Sequence, residues 1–279
     1  MIKKHKKLFI ALLSVIIFVL CTLSVAFSHD LFTTLPSSLA ITTHTKNAPL
    51  LVAHRGLSSL YPENSVPAIE GAVAHGFAAC EFDIHTTKDG RWVVIHDDTV
   101  DAMTDATGDV DSFTFKEIRK LTLDSGSRIE LYDNLKIPTL EEVLDVCKKI
   151  DITPFIEIKK CDVKYLPSLV EMIESYGLSE KCILISFERE YLEKYRELDS
   201  EAEIMLLKGT PSKEDVDWCL EYSAGLDLGY YNIYKISDTL KYAKDNGVKL
   251  GAWTVDNTAY ADVLVLLGIE VITTNKILP

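Results

Sequence analysis

"CEFDIHTTKDGRWVVIHDD", residues 80–98, has the spacing of a β-strand and yet carries groups that resist burial. Side chains two apart in a strand share a face, so Glu81, Asp83 and His85 are expected on one side and Phe82 and Ile84 on the other. Lys88-Asp89-Gly90 is a turn signal, and "RWVVIH" (91–96) is β-branched and aromatic enough to be the returning strand, ending at His96. Such a hairpin brings two carboxylates and a histidine to neighbouring strand ends.

Outward from this hairpin, short apolar strand candidates alternate with helical stretches. Strands are expected at 50–54, 78–85, 153–159, 182–186, 202–207, 225–229, 249–255 and 270–274. Amphipathic stretches at 65–76, 139–150, 162–177, 237–247 and 258–268 lie between them, with Gly76, Gly177, Gly247 and Gly268 where helix C-caps fall. This alternation implies parallel strands with crossover helices, and about eight such units in roughly 230 residues is the size of an α/β (β/α)8 TIM barrel. A doubly wound open sheet fits less well, because no glycine-rich phosphate loop follows the first strand. Residues 97–138 are too long for a simple connection and read as a small inserted subdomain after the second strand region.

The chain of 279 residues is 47% hydrophobic and 25% charged, which is globular rather than disordered composition. Its first 28 residues stand apart. Lys3, Lys4, Lys6 and Lys7 precede an uncharged run from Leu8 to Phe27, long enough to span a bilayer. Ser24-Val25-Ala26 and Ala26-Phe27-Ser28 are small-x-small sites, so residues 1–28 read either as a signal peptide or as a signal-anchor transmembrane helix. Both place the remainder outside the cytoplasm, secreted or anchored at the extracellular face of the membrane. Cys21 follows Val19-Leu20, which argues against a lipoprotein anchor. Residues 29–49, rich in Thr, Ser and Pro, form a linker to the folded part, 50–279.

Net charge is −13, and the only basic segment of note is that N-terminus, so the folded part is more acidic still. A surface of that sign does not seek nucleic acid or anionic lipid, and nothing indicates a protein partner. If the substrate is anionic, a metal or a few local cations must attract it. The cysteines match no zinc motif. Cys80 and Cys182, in apolar strands, read as core thiols, while a disulfide among Cys147, Cys161 and Cys219 is left open.

His54 ends the first strand, followed by Arg55 and Gly56. Glu81 and Asp83 share a face of the second strand, and Glu157 and Lys159 share a face of the next. In a barrel these converge on one mouth. Three carboxylates there would repel one another unless a cation held them, and oxygen donors suit Mg²⁺ or Ca²⁺ rather than zinc. His54 and His96 are plausible proton carriers, and Arg55 and Lys159 supply donors for a phosphate. Singly, each has an ordinary explanation: a strand-end carboxylate as a cap, His75 and His85 as structural histidines, Trp253 as a core aromatic. The weight lies in charged residues at successive strand ends where core periodicity calls for apolar ones.

"AHRGLSSLYPENSVPAIEGAVAHGFAACEFDIHTTKDGRWVVIHDDTV" (53–100) resembles the opening signature of the glycerophosphodiester phosphodiesterase family, with its HRG, PEN, E-x-D, T-x-DG and HD elements in order. "PTLEEVL" (138–144), "FIEIK" (155–159) and "AWTVDN" (252–257) resemble later family blocks. The resemblance implies a (β/α)8 barrel that hydrolyses phosphodiesters of glycerol to an alcohol and glycerol 3-phosphate with a divalent metal, Mg²⁺ or Ca²⁺. By position it implies His54 and His96 as the acid–base pair and Glu81, Asp83 and Glu157 as metal ligands. Arg55, Lys159, Glu63, Asn64 and Trp253 are implied on the substrate side. Two departures stand out: Ala102 where the family usually has an arginine, and Asn275 where it usually has an acid; both bear on substrate preference. The alternatives are a lipid-directed relative of lysophospholipase D or sphingomyelinase D type, or a catalytically silent phosphodiester-binding module.

Overall fold

The computed structural model describes residues 48–278, so the N-terminal apolar segment and most of the linker lie outside the described residues. Eight parallel strands close on themselves: β1 (Leu50–Ala53), β2 (Ala79–Thr86), β4 (Thr153–Lys160), β5 (Ile183–Ser186), β6 (Glu203–Lys208), β7 (Gly225–Gly229), β8 (Leu250–Trp253) and β9 (Val271–Thr274). Closure comes from β1, which pairs with β9 on one side and β2 on the other. The ninth strand, β3 (Trp92–Val94), is the expected hairpin partner, antiparallel to β2 with Ile84 opposite Val94. The (β/α)8 barrel is therefore the architecture.

The helices are α1 (Val66–Ala74), α2 (Phe115–Ile118), α3 (Leu140–Ile150), α4 (Leu166–Tyr176), α5 (Arg189–Leu198), α6 (Lys213–Glu221), α7 (Ser237–Asp245) and α8 (Thr258–Leu267). Local sequence accounts for their starts. Thr139 and Glu142 form a capping box at α3, as do Ser212 and Asp215 at α6, each satisfying amide groups that the first turn leaves unpaired. Helices α5 and α6 were not picked out by periodicity, although both carry apolar faces against the barrel.

Alternation with period two decides what the barrel encloses. Even residues of β1 and odd residues of the other barrel strands turn inward, and the lower layers are apolar: Val52, Ala79, Phe155, Ile183, Met205 and Val271 form one buried cluster. One step higher, at the C-terminal ends of the strands, the same parity delivers polar side chains from β1, β2, β4 and β7, while β5 and β6 continue the apolar cluster with Ile185 and Leu207.

Residues 97–138 lie between β3 and α3 and contain 3₁₀ turns at Val110–Ser112 and Ile129–Leu131 with α2 between them. They pack on a separate cluster that includes Val93, Ile95, Val100, Val110, Ile118 and Ile137. All five cysteines among the described residues are free, so no pairing of Cys147, Cys161 and Cys219 occurs there. Phe155, fully buried at the barrel axis, should carry a large share of stability: Phe155→Ala is expected to cost about 3–5 kcal/mol, read as a lowered urea midpoint.

Candidate active site

The mouth of the barrel is built around Glu81. Immediately after β1 the chain turns through Arg55 (φ 55°) and Gly56 (φ 72°), both left-handed. The Arg55 amide donates to Glu81 Oε2 at 2.8 Å and the Gly56 amide to the Glu81 carbonyl at 3.0 Å. Gly56 admits no side chain, since a Cβ would stand 2.6 Å from the Ala68 backbone carbonyl carbon of α1. A left-handed arginine costs free energy that the surrounding hydrogen bonds must offset. The HRG tripeptide thus wraps the carboxylate strand with backbone donors.

Asp83 is held by Asn64, whose Nδ2 donates to Asp83 Oδ2 at 2.8 Å while its Oδ1 accepts from the Asp83 amide at 3.0 Å. Register pairing sets Asp83 beside Glu157. As a result Glu81, Asp83 and Glu157, all buried, bring one oxygen each within 4.8 Å of one another. Lys159 Nζ stands 2.8 Å from Glu157 Oε1 and 4.0 Å from Asp83 Oδ1. Arg55 reaches Glu63 at 2.8 Å through Nη1 and Asp83 at 3.6 Å through Nε.

Burial first, and mutual repulsion second, push the Glu81 and Asp83 carboxyls above the usual range. Burial pulls the Lys159 ammonium down, but Glu157 and Asp83 outweigh it and raise the group. Glu81 Oε1 and Asp83 Oδ1 remain buried without a hydrogen-bond partner, and Glu157 Oε1 meets Lys159 without hydrogen-bond alignment. Three hard-oxygen donors converging with open lone pairs fit a divalent cation such as Mg²⁺ or Ca²⁺.

Two histidines flank the cluster. His54 Nε2 lies 4.0 Å from Glu81 Oε2, and its Nδ1 bonds Asn275 Oδ1 at 2.8 Å. Asn275 is oriented in turn, donating from Nδ2 to Asp256 Oδ2 at 2.8 Å. The Asn275 carbonyl oxygen can only accept, so Nδ1 of His54 carries the proton and Nε2 presents its lone pair to the cavity. Burial and the nearby Arg55 charge lower the His54 pKa. His96 Nδ1 bonds Asp97 Oδ1 at 2.6 Å, and its Nε2 faces Lys159 Nζ at 3.4 Å.

His54, Arg55, Glu81, His96, Glu157, Lys159 and Trp253 all line one cavity of about 300 Å³. Glu63 and Asn64 do not; they stand behind Arg55 and Asp83, and so support the wall rather than face a substrate. His85 takes the place of a structural histidine, as expected. The β2–β4 register shifts between Ile84 and His85, and His85 lines a separate cavity with Lys160 while its Nε2 bonds the His96 carbonyl at 3.2 Å. Asn275, read from sequence as a departure that bears on substrate preference, touches His54 directly.

Three polar wall residues escaped the sequence reading altogether: Thr254, Thr273 and, alone of the three ionisable, Asp227 of β7, 1% exposed and facing the cavity. The signal for Asp227 was available, since "GLDLG" (225–229) sets a carboxylate at an inward position of an otherwise apolar strand.

Fold and site together define a (β/α)8 barrel whose mouth suits a divalent cation and an anionic ligand. Residues 54–278 match the model of the glycerophosphoryl diester phosphodiesterase family, and the chain belongs to that family. It is 36% identical over 231 residues to the glycerophosphodiester phosphodiesterase of Caldanaerobacter subterraneus subsp. tengcongensis, covering 81% of this chain and 93% of that protein. A glycerophosphodiester phosphodiesterase of Bacillus subtilis is 30% identical over 246 residues, covering 81% and 83%. Among solved structures, a glycerophosphodiester phosphodiesterase from Parabacteroides distasonis superposes with a TM-score of 0.71 at 28% identity, over 83% of this chain and 94% of that one. An Oleispira antarctica phosphodiesterase in complex with the product sn-glycerol-3-phosphate shares the fold, with a TM-score of 0.74 at 24% identity over 81% and 93%.

The buried carboxyls make a prediction about pH. Glu81 and Asp83 titrate higher in the folded chain than in the unfolded one, and Asp227 is raised to about 8, by burial above all. The folded state therefore holds protons that the unfolded state has released, so metal-free stability should fall as pH rises from about 4 to about 8. Added Mg²⁺ or Ca²⁺ should raise the melting temperature and flatten that slope; calorimetric scans at several pH values that show no metal effect would count against a metal centre.

Proposed function

We propose that the protein hydrolyses glycerophosphodiesters to an alcohol and sn-glycerol 3-phosphate, with a divalent metal and histidine acid–base catalysis. The observation that carries this reading is the convergence, in one cavity, of two histidines, three carboxylates with open oxygens and two cations. Glu81, Asp83 and Glu157 would hold the ion, Mg²⁺ or Ca²⁺. Once bound, such an ion neutralises developing charge on a phosphoryl oxygen as a Lewis acid.

The chain's own residues account for the remaining steps. Arg55 and Lys159 bind the phosphate oxygens, Arg55 held in direction by Glu63 and Lys159 by Glu157. His54 Nε2, with its lone pair turned inward, removes the proton from the attacking oxygen, whether of water or of the glycerol 2-hydroxyl through a cyclic phosphate. The lowered pKa of His54 supports the role of base, because the ring stays neutral near pH 7. His96 gives a proton to the departing alcohol oxygen as its bond to phosphorus breaks. Asp97 on Nδ1 orients the ring. Trp253 borders the pocket, its ring edge-to-face with Phe187 at 5.6 Å.

Residues 1–28 support export, so the barrel would act outside the cytoplasm, secreted or held at the membrane surface. Glycerophosphocholine, with release of choline and glycerol 3-phosphate followed in Mg²⁺, in Ca²⁺ and in chelator, tests the activity. Metal-dependent release is expected, and hydrolysis of lysolipid micelles but not of glycerophosphocholine would shift the assignment to a lipid-directed phosphodiesterase. His96→Ala should lower turnover by 10²-fold or more, on the order expected for a general acid, while calorimetric metal affinity stays unchanged. Retention of full activity would remove His96 from the mechanism.

A further inference from the structure

The cavity has two chemically different halves. Toward β1, β2 and β4 it is charged; toward β5, β6 and β8 it is walled by Ile185, Phe187, Leu207 and Trp253. In that apolar half, β7 contributes Asp227, the one ionisable side chain that β5–β8 add to the described lining. It is 1% exposed, and its Oδ1 has no hydrogen-bond partner. It is not one of the three carboxylates that gather for a cation, and neither pocket cation forms an ion pair with it.

Two neighbours accommodate this carboxyl without satisfying it. Gly251 on β8 leaves the space open, since a Cβ there would stand 2.6 Å from Asp227 Oδ1. Trp253 Nε1 is spent on the Asp227 backbone carbonyl at 3.2 Å. A buried carboxyl oxygen with no partner bears its desolvation penalty, so a site that retains one has a use for it when a ligand arrives. Charged or neutral, the group accepts a hydrogen bond from a hydroxyl, and in its neutral form it also donates one. Burial, and then Glu157, raise it to about 8, which favours the neutral form near pH 7. Ile185 and Leu207 beside it suit the carbon skeleton of the same group.

We propose that Asp227 is a substrate-binding residue that hydrogen-bonds a free hydroxyl of the glycerol moiety, so that the pocket selects polyol phosphates over phosphate esters of plain alkyl groups. This rests on the function proposed above and names the part of the substrate that the apolar half receives. Loss of this contact weakens ligands that carry the hydroxyl and leaves those that lack it nearly unaffected.

The test is calorimetric binding of sn-glycerol 3-phosphate and of ethyl phosphate to the full-length chain with saturating Mg²⁺. Wild type is expected to prefer glycerol 3-phosphate by tenfold or more, the scale of one well-made hydrogen bond to a hydroxyl. Asp227→Ala should lose most of that preference, with ethyl phosphate affinity within about threefold of wild type, and Asp227→Asn, which keeps the size and the bonding capacity, should retain it. Asp227→Ala should melt within a few degrees of wild type, because the substitution removes a buried Oδ1 that has no partner; if it does not fold, Asp227→Leu takes its place. Equal loss for both ligands, or an unchanged preference, would overturn the role of Asp227 while leaving the proposed function intact. Failure of wild-type protein to bind glycerol 3-phosphate would overturn both.

Discussion

The repulsion among Glu81, Asp83 and Glu157 is the constraint to which the rest of the mouth answers. Three buried carboxylates within 4.8 Å are tolerable only with donors and cations on every side. The left-handed turn at Arg55 delivers a backbone amide to Glu81, the Asn64 amide clasps Asp83 from both ends, and Lys159 sits over Glu157. Even so, oxygens remain unsatisfied, and the two cations do not balance three negative charges. The deficit is what makes the cluster a receptor for a divalent ion rather than a closed salt-bridge network.

Barrel geometry divides labour along its axis. Below, the inward positions are Val, Ala, Phe, Ile and Met, and their burial supplies the free energy that the mouth draws on. Above, the same parity presents His54, Asp83, Lys159 and Asp227. Stability and function thus occupy successive layers of the same strands. Conservative changes in the lower layer affect folding, whereas changes one step higher affect chemistry with smaller effects on the fold.

The two histidines are held by different means. Asn275 bonds His54 through a neutral amide that is itself fixed by Asp256, while His96 rests against the carboxylate of Asp97. A neutral partner leaves His54 easier to hold uncharged than a carboxylate would. The proposed division into base and acid rests on that asymmetry. The cavity is asymmetric as well, charged where phosphate would bind and apolar beyond it.

Much of this was legible in the residues alone, because periodicity is local. Alternation of strands and helices, the C-cap glycines and charged residues at inward strand positions all depend on neighbours a few residues away. They were sufficient for the barrel and for His54, Glu81, Asp83, His96, Glu157 and Lys159 at one mouth. What required tertiary structure were contacts between distant strands. The bond of His85 to the His96 carbonyl, the place of Glu63 and Asn64 behind the wall, the bond from Asn275 to His54 across 221 residues and the burial of Asp227 arise from how the strands and loops meet. Closure sets which side chains meet, and no pattern within a single strand encodes that.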